Sequence, residues 1–80
     1  MDIDREYANR MRERYPVGTR IQLIKMGDDP HPIEPGTKGT VEHVDDLGTV
    51  FCKFDNGRYM GLISGEDNFQ KISEHSRDER

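Results

Sequence analysis

Tryptophan is absent from this 80-residue chain and cysteine occurs once. Each shortage excludes something. The single Cys52 rules out an internal disulfide framework and any zinc site built on several thiolates. Placed between Phe51 and Lys53, it is expected to be a small buried hydrophobe rather than an activated nucleophile. No apolar run approaches the ~20 residues that cross a bilayer, and the N-terminus lacks the basic-then-apolar order of a signal peptide. A cytoplasmic protein is therefore expected. Hydrophobic residues make up only 31% of the chain against 35% charged, which allows one domain with a small core and leaves part of the chain outside it.

Clustered positive charge is also lacking. The net charge is −4, and residues 41–57 set Glu42, Asp45, Asp46 and Asp55 against Lys53 alone. Neutralising phosphates needs grouped Lys and Arg, so nucleic acid is an unfavoured partner and a basic protein a favoured one. His31, His43 and His75 follow no common zinc spacing. None of Gly36, Gly39, Gly48 and Gly57 opens a helix that could cradle phosphate. Asp45-Asp46 and Glu66-Asp67 are expected to cap turns, and would hold a hard cation only if their two turns met. Neither cofactor, metal nor catalysis is expected.

What the chain does contain is turn chemistry between alternating runs. Pro35-Gly36, the stretch 45–48 and Asn56-Gly57 read as turns, delimiting strands at 38–44 and 49–55 and a third running to Leu62. Residues 17–25 read as an earlier strand, with Ile21 and Leu23 alternating against Arg20 and Gln22. Val41 and Val44 lie three apart, so a bulge near Glu42-His43 is expected to turn both inward. Residues 26–35 contain three prolines and cannot join a ladder. That loop is a candidate binding wall. Ser64 and Asp67 have the spacing of a cap and its reciprocal acid on one short turn. Phe69 and Ile72 would close the core in a last strand.

Residues 2–14 read as a helix, with Asp2 as cap and Ile3, Tyr7, Met11 and Tyr15 forming a stripe that Pro16 ends. It either packs on the barrel or detaches to dock on a partner. The wholly polar stretch 73–80 is expected to be disordered. The organisation expected is thus a helix over 1–16, a small five-stranded SH3-like barrel over 17–72 and a tail over 73–80, mainly β.

A two-residue type I′ turn at Asn56-Gly57 would pair Phe54 with Tyr59, Lys53 with Met60 and Phe51 with Leu62. Val50, Cys52, Phe54, Tyr59 and Gly61 would then face the core. Phe51, Met60 and Leu62 would share the other face, which is too apolar for plain solvent cover. Either the helix covers it or a partner does.

The blocks Pro35-Gly36-x-x-Gly39-Thr40-Val41, Val44-Asp45-Asp46-x-Gly48-Thr49, Asp55-Asn56-Gly57 and Gly61-Leu62-Ile63-x-Gly65-Glu66-Asp67-x-Phe69 together resemble a small bacterial and phage family known only as a domain of unknown function. The resemblance spans residues 17–72 and implies an SH3-like barrel. A more distant similarity runs to the peptide-binding barrels of some ubiquitin ligases, with Phe54 at the position of their Trp.

The leading functional expectation is a non-enzymatic interaction module that holds a protein segment between the 26–35 loop and the 45–46 turn. Phe51, Tyr59 and Met60 would supply apolar contact, and Asp45, Asp46 and Glu66 would favour a basic partner. The alternatives are a nucleic-acid-associated accessory protein and a mobile-element inhibitor of a basic host protein.

Overall fold

The structure, a computed structural model, describes residues 3–73, with side chains from Arg5 onward. The expected Asp2 cap, His75 and nearly all of the 73–80 tail lie outside the described residues. Helix α1 (Ile3–Arg14) precedes strands β1 (Arg20–Lys25), β2 (Lys38–Val44), β3 (Val50–Phe54), β4 (Tyr59–Leu62) and β5 (Asn68–Lys71). All five strands form one antiparallel sheet in the order β4-β3-β2-β1-β5. The mainly β, five-stranded expectation is met. Among the described residues no ladder joins the edge strands β4 and β5.

Good helix formers such as Glu6, Ala8, Arg10 and Met11 carry α1, and Pro16 disfavours helical geometry at the residue before it. Arg12 and Arg14 in the last turn complement the helix dipole. Ala8, Met11 and Tyr15 are buried with Tyr7 half-buried beside them, and Met11 and Tyr15 join the sheet's core. The helix therefore covers the inner side of the sheet, not the face that carries Phe51.

The first strand starts three residues later than the alternation suggests. Pro16-Val17-Gly18-Thr19 form a turn in which the Thr19 N–H donates to Pro16 O at 3.0 Å and Gly18 has φ 94°. That is type II geometry, which requires φ > 0 at its third residue. Val17 is left 73% exposed.

Ile21 and Leu23 of β1, Val41 and Val44 of β2, Val50, Cys52 and Phe54 of β3, and Leu62 of β4 form the core. Each fully buried aliphatic side chain contributes about 1.5–3 kcal/mol. The register of β2 on β3 shifts between Val41 and His43, the expected bulge, and both valines are buried. Two further core residues come from the proline-rich loop, where Met26 and Ile33 are buried and the Ile33 N–H donates to Met26 Sδ at 3.2 Å. Residues 26–35 have no internal period, so nothing in the sequence marked these two as core.

The β3–β4 register departs from expectation by one residue. The observed pairs are Val50 with Leu62, Phe51 with Gly61, Cys52 with Met60 and Lys53 with Tyr59. The connection is a three-residue loop rather than a two-residue one. The Gly57 N–H closes a turn onto Phe54 O at 2.9 Å, the Phe54 N–H donates to Arg58 O at 2.7 Å, and Gly57 alone takes φ 93°. A type I turn followed by a left-handed glycine satisfies those bonds as well as a type I′ turn would. One residue of slip turns a whole strand over. Met60 and Leu62 pack on the core, and Tyr59 and Gly61 face out.

Candidate functional site

Three rings stand together on the outer face of β2, β3 and β4. The His43 ring stacks on Phe51 with centroids 4.7 Å apart and planes 15° apart, and Phe51 stacks on Tyr59 at 5.9 Å and 17°. The Tyr59 hydroxyl lies 3.4 Å from His43 Nδ1. His43 is exposed, Phe51 half-buried and Tyr59 48% exposed. Cross-strand geometry makes the row. His43 is Phe51's direct neighbour, and Tyr59 is its diagonal one.

Gly61 is the fourth member. A Cβ there would lie 2.8 Å from Phe51 Cε1 and 2.7 Å from Thr49 Cγ2, so the glycine is what lets the Phe51 ring lean across β4. Beside the rings, Lys53 pairs with Thr40 and Tyr59. Beyond it Arg20 donates from Nη1 to Asp55 Oδ1 at 2.9 Å and from Nη2 to Oδ2 at 2.8 Å, and also to Thr40 Oγ1 at 2.9 Å. The Asp55 carboxyl sits below its ordinary value, chiefly because it accepts those Arg20 bonds.

Of the six residues expected to meet a partner, Phe51 and Tyr59 come together on this face. Met60 does not join them, since the register sends it inward, where Arg58 Nη2 approaches its Sδ at 3.7 Å. The acids are largely occupied. Asp45 Oδ1 accepts from the N–H groups of Leu47 at 3.0 Å and Thr49 at 2.9 Å, and Asp46 pairs with Arg12 Nη2 at 2.8 Å. Arg12 Nε also donates to Val44 O at 3.2 Å, so the 45–48 turn is clamped to α1. Gly48 completes the clamp. It has φ 85°, and any Cβ on it would overlap the Tyr7 ring.

Glu66 is exposed on the distant 63–67 turn. Its neighbour Asp67 accepts from Gly27 N–H at 2.8 Å and Ile63 N–H at 2.9 Å. The reciprocal acid thus reaches residue 63 rather than Ser64, and ties the 26–35 loop down as well. That loop meets Arg58, whose Nη1 lies 3.5 Å from Pro32 O, and lies with the core-facing elements rather than walling the aromatic row. His43 is the member of the site the sequence did not single out. Its signal was present in the bulge, which places it outward opposite Phe51.

Cys52 is fully buried, and burial pushes its thiol up to about 12. Among the described residues no three His, Cys, Asp or Glu side chains gather as metal ligands, and no helix is long and apolar enough to cross a membrane. No curated protein matches the chain. A family model does match, over residues 4–72. With that span taking in the helix, all five strands and the aromatic row, the chain belongs to the family described as Domain of unknown function (DUF4314).

Proposed function

We propose that this chain is a non-enzymatic, cytoplasmic protein-interaction module that holds an extended, basic protein segment on the outer face of β2–β4. The observation that carries the reading is the His43–Phe51–Tyr59 row. Helix α1 and the 26–35 loop both bury their apolar residues on the opposite side, so the rings have no cover among the described residues. Aromatic faces that stay in water attract Arg and Lys side chains through cation–π contact, worth about 0.5–1 kcal/mol at exposed sites. The net charge of −4 favours approach of a basic segment over a phosphate backbone. Asp45 and Asp46, bound in their own contacts, leave the rings as the main contact surface, with Phe51 and Tyr59 as anchors.

The test is selection from a displayed random peptide library, followed by anisotropy titration on wild type and Tyr59→Ala. Basic peptides should be selected. Their affinity should fall about tenfold or more in the variant, while the melting temperature stays put because Tyr59 is half exposed. Selected peptides that bind the variant equally would sink the reading. Saturable binding of oligouridine at low salt, with no peptide selected, would replace it with base stacking on the same rings.

A further inference from the structure

The sheet ends at β5, and a groove of about 700 Å3 runs between that strand and α1. Tyr7, Met11, Tyr15 and Phe69 give it an apolar floor, and Arg10 and Arg14 stand on its rim with Glu13 as its acid. Tyr15 and Phe69 pack at 5.4 Å between centroids. Lys71 Nζ and Arg14 Cζ lie 5.7 and 5.9 Å from the Tyr15 centroid, so two cations flank that ring.

Among the described residues no backbone pairs with β5 on this side. The Ile72 N–H donates to Arg20 O at 3.0 Å, and the pairs Ile21–Lys71, Gln22–Gln70 and Leu23–Phe69 continue that register. In an antiparallel ladder alternate residues turn both their N–H and C=O to the neighbour. Ile72 and Gln70 therefore face β1, and Phe69 and Lys71 present their main-chain donors and acceptors to the open edge. A free edge beside a helix is the geometry in which an added strand gains main-chain bonds from the sheet and side-chain contacts from the helix.

We infer that an acidic, extended segment of another protein adds to the edge of β5, placing an apolar side chain on the floor between Tyr7 and Phe69 and its carboxylates against Arg10, Arg14 and Lys71. A second copy of this chain is the wrong occupant. Pairing β5 with its own copy would bring two sets of those three cations together, which is repulsive. The inference stands apart from the aromatic row, which lies on the opposite side of the sheet.

The probe is a synthetic peptide carrying Glu, Phe and Glu at alternate positions with Thr between them, so that acids and apolar side chain share one face, followed through the amide resonances and hydrogen exchange of the intact chain. The expected result is saturable shifts and slowed exchange at the Phe69 and Lys71 amides, unchanged by Tyr59→Ala. Methylating alternate peptide nitrogens, or replacing Glu by Lys in the peptide, should weaken binding about tenfold or more. Lys71→Pro removes the outward N–H at an edge position where proline is tolerated. It should abolish binding, whereas Lys71→Gln, which keeps that N–H, should only weaken it. Were Lys71→Pro not to fold, the methylated peptide would carry the same comparison. The inference is overturned if no saturation occurs up to millimolar peptide, or if the methylated peptide binds equally. It is also overturned if the two amides stay unchanged while peptide binds elsewhere, or if they become protected with rising protein concentration and no peptide.

Discussion

Arg20 on β1 and Asp55 just past β3 flank β2 at the same end of the sheet and meet in a bidentate pair across it. Such a pair has a pH signature whose sign is fixed. The Asp55 carboxyl is held below its ordinary value of 3.8, first by hydrogen bonds from Arg20, which outweigh the opposing effect of burial, and then by the charges of Arg20 and Lys38. A group depressed in the folded state adds stability above its unfolded value and loses it as pH falls through the folded one. The urea midpoint of wild type should therefore fall more steeply below pH ~4 than that of Asp55→Asn. The difference should shrink in high salt, because the Asp55 side chain is 55% exposed. Parallel curves would show that the pair adds nothing to folding. The other acids differ by their contacts. Asp45 and Asp67 are turn acceptors, and this much was legible from turn chemistry. That Asp46 would be claimed by Arg12, 34 residues away, was not, because only the folded chain brings helix and turn together.

Asp67 shows how one side chain can position an element. Its two oxygens hold the N–H groups of Gly27 and Ile63, joining the start of the proline-rich loop to the turn before β5. The approach is close enough that a Cβ on Gly27 would lie 2.7 Å from Glu66 O. Asp67→Ala should cost about 1 kcal/mol, chiefly through the part-buried Gly27 N–H, since the exposed Ile63 N–H can turn to water, read as a lowered urea midpoint with faster hydrogen exchange at Gly27 and Ile63. No change in exchange at those amides would remove the carboxylate from this role. The helix, the extent of β2 and its bulge were readable from period, proline and the Val41–Val44 spacing. The β3–β4 register was not. Asn56-Gly57 fits either a two-residue turn or a three-residue loop, and the choice rests on which backbone satisfies Phe54 and Arg58, a difference that composition does not carry. That choice decides the site, since it brings Tyr59 beside Phe51 and takes Met60 away.

At the scale of the whole molecule, one core is built from helix, loop and four strands, with Cys52 fully buried inside it. Burial holds that thiol protonated far above neutral pH. A thiol reagent should therefore leave native protein unlabelled at pH 8 and react in step with global unfolding as urea is raised. Labelling well before the spectroscopic transition would reveal a local opening around β3. The two proposed contact surfaces lie on opposite sides of the sheet, the rings outside and the cation-rimmed groove beside α1. Helix α1 joins β1 through five residues only, 15–19, a tether that can reach at most about 17 Å even when fully extended. If α1 lifts off, it stays at an effective concentration on the order of millimolar above the surface it left. A helix from outside, including that of a second copy, must outcompete this local excess, so at protein concentrations well below millimolar the chain's own helix is the one that returns to the groove.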